Sequence, residues 1–397
     1  MDIMCLFGLF PDEYVDEINK SSVSGVQNAA NKLQWGLVRG MDAQEDTCVT
    51  ICNSLYIGSY PKRYKKMRIP TFPFAHKEGA EDINVGFCNL SGIKYLSRYT
   101  SSLKVVKKWA KAETNAQKVL LVYALTVPFV NIAGYIQKKY PAIKVCVVVP
   151  DLPEYMNVGA MRKNGAYAFL KRQEIKWLKK CLRPVDYYVL LTEPMKNWFE
   201  KPIRYTVVEG ITQVQPGEQL PQKEKTVLYA GGIKREYGVI DLVEAFRQVD
   251  MPDWQLVIYG DGSDLAEVRR LAQTDARIQI MGAAPNDVVV AHQKRASLLV
   301  NPRKNEDFAK YSFPSKILEY MASGTPMLAY KLDGMPEEYD AHYYRISEQE
   351  NGMRQALADV MALTEENRCA MGTRAREFVA AEKNAKRQCE KIMQMLR

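Results

Sequence analysis

The chain has 397 residues, of which 47% are hydrophobic and 25% are charged. This length exceeds the usual size of a single hydrophobic core and the composition excludes a disordered chain, so we expect a globular protein of two domains. The eight cysteines lack metal-ligand spacing, residues 1–14 lack the basic start of a signal peptide, and no apolar run is long enough to cross a bilayer. We therefore predict reduced thiols and a cytoplasmic protein.

Basic residues are concentrated in the first half of the chain. Residues 1–200 hold 28 Lys and Arg against 18 Asp and Glu, whereas residues 201–397 hold 27 against 28. The excess gathers in segments 62–68, 104–111 and 171–183, and the last two contain Trp109 and Trp177. Basic helices with interleaved Trp and Leu favour an anionic membrane, which predicts peripheral contact with the inner face of the plasma membrane. The alternative is ordinary solvated helix faces, and no motif indicates a nucleic-acid partner.

In the first half, short apolar runs alternate with segments of helical periodicity, as in a parallel sheet covered on both faces. The predicted strands cover 3–9, 50–57, 83–88, 119–123, 144–149 and 187–191. The predicted helices cover 26–39, 103–112, 128–139 and 169–182. This pattern predicts a doubly wound α/β domain.

The second half repeats the alternation. Its predicted strands cover 226–229, 255–259, 278–281, 296–300 and 327–330, and its predicted helices cover 238–249, 265–274, 288–294 and 316–322. The polar segment 205–224, with its prolines and glycine, predicts the hinge. We therefore expect two Rossmann-like domains, 1–205 and 206–375, facing across a cleft. A terminal helical segment, 376–397, is expected to pack back on the first domain.

Glycine-containing turns follow several predicted strands, where open α/β sheets bind their ligands. They are Gly25 after the first strand, Gly231 and Gly232 beside Lys234 and Arg235, and Gly260 in a DG turn. Backbone N–H groups in such turns could approach a phosphate. None of them matches GxGxxG or the P-loop, which argues against a nicotinamide enzyme or an NTPase.

The segment YSFPSKILEYMASGTP, residues 311–326, predicts a short helix that Ser315 caps and Gly324 ends. The N–H groups at its start could hold an anion, Lys316 could add positive charge, and Glu319 could accept hydrogen bonds from sugar hydroxyls. Together these groups suit a nucleotide diphosphate with its ribose. The alternative is an ordinary amphipathic helix in which Lys316 and Glu319 form an i,i+3 ion pair.

The chain carries an ordered series of motifs over residues 187–335. They are LLTEPMKNWF, VVEGI, VLYAGGIKREYGVIDLVEAF, LVIYGDGSDLAEVRRLA, RIQIMGAAP, LLVNPR and YSFPSKILEYMASGTPMLAY. This series resembles the nucleotide-binding domain of GT-B glycosyltransferases, most closely the retaining enzymes of glycosyltransferase family 4. The first half is similar more loosely, through Gly25 and VVVPDLPEYM.

The chain departs from the family pattern at three positions. The family's last motif has two Glu residues with seven positions between them, and here Glu319 corresponds to the second whereas Tyr311 replaces the first. The usual Arg after the first glycine of the second domain is Gly232, and the usual Lys before the next glycine is Tyr237. Lys234, Arg235 and Lys316 are the basic residues available instead.

The resemblance implies an acceptor-binding first domain and a nucleotide-sugar-binding second domain. The implied reaction is the retaining transfer of a hexose-type sugar from a nucleotide diphosphate sugar, with UDP the usual nucleotide, to a glycan or lipid-linked acceptor. Such transfer would serve the synthesis of cell-surface polysaccharide or glycoconjugate. The implied donor-binding residues are Gly25, Gly231, Gly232, Lys234, Arg235, Gly260, Tyr311, Ser315, Lys316 and Glu319.

Three residues are candidate catalytic groups, namely Asp151, Glu154 and Lys316. Asp151 and Glu154 follow a predicted strand and could orient the donor or acceptor, although capping of the loop beside Pro150 and Pro153 is an equal alternative. The loops lack an Asp-x-Asp motif, and basic residues can stabilise a leaving diphosphate without a divalent ion. We therefore expect no metal and no cofactor other than the donor.

Two other functions remain open on the sequence. A sugar-nucleotide 2-epimerase would share the fold and the nucleotide, but the three histidines do not lie in a convincing acid/base motif. A non-catalytic partner subunit or glycan-binding module would agree with Tyr311 in place of Glu, whereas the retained Lys316 and Glu319 favour an enzyme.

Overall fold

The computed structural model describes residues 1–23, 26–155, 165–305 and 309–397. The chain divides into two compact units. Unit 1 comprises Met1–Ile211 and Ala385–Arg397, and unit 2 comprises Thr212–Asn384. Each unit contains one main parallel sheet with helices, which confirms the prediction of two Rossmann-like α/β domains.

The described strands and helices are as follows, in chain order. The strands are β1 (Asp2–Phe7), β2 (Cys48–Asn53), β3 (Arg68–Ile69), β4 (Phe72–Phe74), β5 (Asp82–Asn84), β6 (Phe87–Cys88), β7 (Lys118–Tyr123), β8 (Lys144–Val149), β9 (Tyr187–Leu190), β10 (Arg204–Val207), β11 (Glu224–Ala230), β12 (Gln255–Tyr259), β13 (Ile278–Gly282), β14 (Ala296–Asn301), β15 (Met327–Ala329) and β16 (Tyr344–Arg345). The helices are α1 (Val15–Ser21), α2 (Asn28–Asp42), α3 (Ile93–Lys111), α4 (Val127–Lys139), α5 (Gly165–Leu182), α6 (Val239–Arg247), α7 (Leu265–Ala272), α8 (Asn286–Arg295), α9 (Lys316–Ala322), α10 (Gly352–Ala362), α11 (Glu365–Glu382) and α12 (Ala385–Leu396).

The main sheet of unit 1 has the strand order β10-β9-β8-β7-β1-β2-β5-β4. All of its pairs are parallel except β4 with β5, which are antiparallel at the edge. The central strands are buried on both faces, and every residue of β7 is buried. Such strands read as continuous apolar runs, which is why the sequence predicts them well.

The sheet of unit 2 has the order β13-β12-β11-β14-β15-β16, and all its pairs are parallel. β11 lies between β12 and β14, so the turn after it is in the middle of the carboxyl edge of the sheet. In a doubly wound sheet, this edge is where ligands bind.

Two predicted elements of unit 1 differ most from the observed ones. The predicted strand 83–88 is two strands in different sheets, β5 and β6, with Gly86 between them close against Ile69 and Thr71. The predicted helix 103–112 begins at Ile93 in the structure. Its first turns bury Lys94 and Arg98 rather than apolar residues. A search for apolar periodicity therefore misses those turns.

The terminal helices belong to different units. α11 packs against α9 in unit 2, and α12 packs against α2 in unit 1. A Cβ at Gly40 of α2 would lie 2.2 Å from the Ala385 carbonyl oxygen, so glycine permits this close contact. The units divide after Ile211 and after Asn384, whereas the sequence placed the divisions after 205 and 375. The second difference arises because α11 continues without a break to Glu382. Within the described ranges, no helix has the length and apolar character needed to cross a membrane.

Candidate functional site

Two glycine turns of unit 2 are packed backbone to backbone at the carboxyl edge of the sheet. The Gly231 N–H donates to the Tyr259 carbonyl at 3.0 Å, and the Ile233 N–H donates to the Asp261 carbonyl at 2.9 Å. Gly260 has φ +141°, and a Cβ there would lie 1.8 Å from the Gly231 carbonyl oxygen. The structure thus brings Gly231, Gly232 and Gly260 together and requires glycine at position 260.

Lys234 and Arg235 lie directly after the first of these turns. The Lys234 ammonium is 3.5 Å from a Glu236 carboxylate oxygen and lies over the Tyr237 ring. The Arg235 N–H donates to Asp264, and this hydrogen bond, with one from Ser263, lowers the pKa of the Asp264 carboxyl. Both cations keep solvent contact and stand beside the glycine turn, as the sequence predicts.

Helix α9 starts at Lys316, but Ser315 does not cap it. Ser315 occupies the residue before the helix in an αR conformation, and its side chain makes no capping hydrogen bond. The predicted cap is therefore wrong, because a capping side chain needs an extended backbone to reach the N–H groups of the first turn. Gly324 ends the segment in a left-handed conformation, as predicted, with φ +72°.

Lys316 and Glu319 form an ion pair with each other. Lys316 Nζ lies 2.7 Å from Glu319 Oε1, and the buried Gln293 side chain donates to the same oxygen at 2.8 Å. This is the i,i+3 ion pair expected from the alternative interpretation, in which α9 is an ordinary amphipathic helix. Both charged side chains remain partly exposed, so they stay accessible to a ligand.

A buried tyrosine attaches α9 to the glycine turn. The Tyr320 hydroxyl accepts a hydrogen bond from the Ala230 N–H at 2.8 Å and donates to the Ala230 carbonyl at 3.2 Å. Ala230 is the last residue of β11 and immediately precedes Gly231. The Lys316–Glu319 pair and the two glycine turns are therefore positioned by one connected set of backbone and side-chain contacts.

Of the two remaining predicted donor residues, Tyr311 is described by the structure and Gly25 is not. Tyr311 lies in a short 3-10 helix, is half-buried, and has the Lys310 ammonium 5.2 Å from its ring centre. Gly25 lies outside the described residues.

The two candidate carboxylates of unit 1 have different environments. Surrounding protein raises the pKa of Asp151 from 3.8 to about 6, although the residue keeps exposed surface. Both oxygens of Glu154 accept hydrogen bonds from Trp198 Nε1, at 2.8 and 2.9 Å. Glu154 thus holds the loop after β8 to the 3-10 helix that contains Trp198, which agrees with the loop-holding alternative.

The sequence did not identify the buried cations of α3 as a pair. Lys94 and Arg98 lie one turn apart, with relative exposures of 8% and 3%. Their spacing at i and i+4 places them on one helix face, but charged residues normally occupy the solvent face of a helix.

Comparison with known proteins shows which family the second unit matches. Residues 211–388 match the family model described as Glycosyl transferases group 1. Over 201 residues, the chain is 27% identical to an exopolysaccharide phosphotransferase from Streptomyces coelicolor, in a match that covers 48% of this chain and 20% of the relative. It is 25% identical over 131 residues to an N-acetyl-alpha-D-glucosaminyl L-malate synthase from Bacillus anthracis, covering 32% of each chain. The matches thus span about a fifth and about a third of the length of these relatives.

Solved structures with the same fold cover the whole chain. A sucrose-phosphate synthase from Thermosynechococcus elongatus superposes with a TM-score of 0.64 at 18% identity, over 100% of this chain and 98% of that chain. The Anabaena protein HepE, solved in complex with UDP, superposes with a TM-score of 0.60 at 12% identity, over 100% and 99%. At these identities the likeness concerns the fold, and it confirms the GT-B prediction. Residues 211–388 therefore form a glycosyl transferases group 1 domain in a chain that has the GT-B fold.

Proposed function

We propose that this chain transfers a sugar from a nucleotide diphosphate sugar to an acceptor hydroxyl. The observation that carries the proposal is the Tyr320–Ala230 contact, which fixes the Lys316–Glu319 pair and the glycine turns at one edge of unit 2. All of these residues lie inside the matched segment 211–388. The donor is a hexose-type sugar on UDP, as the UDP-bound structure of HepE and the name of the N-acetylglucosaminyl relative suggest.

The proposed chemistry is electrostatic. The bond between the anomeric carbon and the diphosphate oxygen breaks, a bond from the acceptor oxygen to that carbon forms, and the acceptor proton passes to the departing diphosphate. Lys316, Lys234, Arg235 and turn N–H groups would stabilise the negative charge that develops on the diphosphate. When Glu319 accepts hydrogen bonds from ribose hydroxyls, Lys316 is released to the phosphates. No step needs a metal or a protein nucleophile, and the anomeric configuration is retained.

Calorimetric titration of UDP tests the donor site. Each lost charged hydrogen bond should weaken binding about 10- to 100-fold in Lys316→Met and Glu319→Gln. Lys225→Met is the matched control, because Lys225 lies on β11 near its opposite end and forms an exposed pair with Asp253. If Lys316→Met and Glu319→Gln bind UDP as tightly as wild type and Lys225→Met do, Lys316 and Glu319 do not belong to the site.

We further propose that unit 1 brings the protein to an anionic membrane surface, where a lipid-linked or nascent glycan acceptor is located. The backbone of Asn89 donates to the Met67 carbonyl, so the basic segment 62–68 lies next to the start of α3. Around this junction, Met67, Ile93 and Leu96 expose 39%, 54% and 66% of their surface. Exposed apolar side chains beside Lys and Arg are the combination that binds anionic interfaces.

Sedimentation with vesicles tests the membrane proposal. Phosphatidylglycerol vesicles should retain the protein at low salt and release it at high salt, because the attraction is screened. Leu96→Glu should weaken retention, whereas Met281→Glu, which changes an exposed apolar residue of unit 2, should not. Equal retention by neutral vesicles, or none by anionic ones, would contradict the proposal.

A non-catalytic binding role is the second candidate, because Tyr311 replaces a family Glu and Lys316 pairs with Glu319. A pure protein that binds UDP but neither transfers nor hydrolyses any UDP-sugar would favour this role.

A further inference from the structure

Unit 1 contains two buried cations whose hydrogen-bond partners among the described residues are neutral. Lys94 Nζ donates to the Ile57 carbonyl at 2.5 Å. Arg98 donates from Nε and Nη2 to the hydroxyl and carbonyl of Ser54, at 2.9 and 2.6 Å. Among the described residues, no Asp or Glu forms an ion pair with either side chain. Removing charges from water without a counter-ion is costly, so a buried pair of this kind suits an anionic ligand.

The two cations also repel each other. Burial and the neighbouring Arg98 charge lower the pKa of Lys94 to about 7, and burial lowers the pKa of Arg98 to about 10. Their environment is otherwise aromatic, with the Arg98 guanidinium 5.5 Å from the Phe87 ring centre and 4.9 Å from that of Phe129. An apolar surrounding strengthens the attraction of these charges for an anion.

Part of the cationic surface is available. An arginine carries five N–H donors and a lysine three, so most of the donors on this pair have no hydrogen-bond partner in the described chain. Arg98 Nη1 makes no hydrogen bond within the described residues and keeps a small solvent-accessible area, although Arg98 as a whole is 3% exposed. A ligand oxygen can therefore reach this nitrogen.

The pair lies at the ligand-binding edge of the sheet in unit 1. Ser54 directly follows β2, and Tyr56, two residues further along this loop, interacts electrostatically with both Arg98 and Asp151. Phe129 belongs to the first turn of α4, a helix of 13 residues whose preceding residue, Thr126, has a buried hydroxyl oxygen without a hydrogen-bond partner in the described parts of the chain. The positive end of a helix and an unpaired hydroxyl favour the same ligand, an anion.

We propose that Lys94 and Arg98 form a site for a phosphate or carboxylate group of the acceptor. The assignment to the acceptor rests on the proposed function, whereas the presence of an anion site in unit 1 does not. Both anions present two or three oxygens to a guanidinium and an ammonium group, so the geometry fits either. The acceptor is then a glycan or a lipid-linked molecule that carries such a group.

Calorimetric titration of the full chain with inorganic phosphate and, separately, L-malate tests the site at constant ionic strength. At least one should bind saturably, and Lys94→Met and Arg98→Gln should weaken it about 10- to 100-fold. Lys104→Met, an exposed residue of the same helix, should leave it unchanged. Binding of phosphate alone indicates a phosphorylated acceptor, and binding of L-malate alone indicates a carboxylate acceptor.

Two results would overturn the proposal. One is that neither anion binds, and the other is that Lys94→Met binds as wild type does, which marks an adventitious ion only. A folding defect is excluded if urea unfolding of Lys94→Met stays cooperative with a midpoint near that of wild type, because removal of a buried charge offsets the loss of the hydrogen bond to the Ile57 carbonyl. UDP titration of the same variants separates the two proposals. Loss of phosphate binding with UDP affinity intact sets the anion site apart from the donor site, whereas failure of wild type to bind UDP contradicts only the proposed function.

Discussion

Removal of the Tyr320 hydroxyl should lower the free energy of unfolding of unit 2, because this hydroxyl is hydrogen-bonded to β11 in the middle of the sheet. The register between β11 and β14 ends at Leu228 and Leu299, and beyond it the Tyr320 hydroxyl serves both backbone groups of Ala230. Tyr320→Phe leaves a buried N–H and a buried C=O without a partner. Each orphaned group costs about 1–3 kcal/mol, and the 3.2 Å contact is the weaker one, so we expect a loss of about 2–4 kcal/mol.

Urea unfolding of Tyr320→Phe measures this loss, and hydrogen exchange of the β11 amides shows where it occurs. Tyr330→Phe is the matched control, because Tyr330 is 5% exposed and its hydroxyl makes no hydrogen bond within the described chain. Exchange at Ala230 should accelerate in the first variant and not in the second, and UDP affinity should fall only in the first. The bridging role of Tyr320 would be refuted if the free energies of unfolding of wild type and Tyr320→Phe agreed within about 0.5 kcal/mol, the usual effect of a neutral substitution.

Three further changes have expected outcomes. Gly260→Ala should lower the melting temperature and UDP affinity because its Cβ would meet the Gly231 oxygen, whereas Gly282→Ala, also at positive φ but in open space, should have a smaller effect; equal losses would contradict the steric reason. The pKa of Asp151 is raised on folding, so folding is increasingly disfavoured as pH rises from about 4 to about 6; Asp151→Asn should remove this dependence, and an unchanged pH profile of urea unfolding would contradict it. His76→Ala should cost about 1.5–3 kcal/mol in urea unfolding, because its side chain lies 3.0 Å from Asp42 and 2.6 Å from Asp82 and its loss leaves buried Asp82 with only its backbone N–H donors; a change below about 0.5 kcal/mol would contradict this.

The central strands and the glycine turns could be predicted because their physical causes are local. Buried parallel strands such as β7 and β8 are continuous apolar runs, and Gly260 has φ +141°, a backbone conformation that favours glycine. The start of α3 could not be predicted, since its buried face is formed by Lys94, Arg98 and Ser102. Short edge strands such as β3 and β16 have two residues each, too few for a period to be visible.

The candidate site was predictable in its residues but not in their contacts. The spacing of Lys316 and Glu319 allows either a ligand or a mutual pair, and sequence spacing does not reveal that Gln293 on α8 donates to the same carboxylate. Asp151 and Glu154 look equivalent in the sequence, yet Trp198, 44 residues later in the chain, engages only Glu154. Such differences depend on tertiary contacts that a local pattern does not contain.

The most direct measurement of the proposed transfer is NMR of the product formed from a UDP-hexose and an anionic acceptor, with and without excess EDTA. We expect release of UDP with a product that keeps the anomeric configuration of the donor, at the same rate in both samples. Loss of activity in EDTA would mean that an ion organises the phosphate site, and an inverted product would mean that a protein base activates the acceptor. No UDP release from any UDP-sugar, by a protein that still binds UDP, would contradict a transferase.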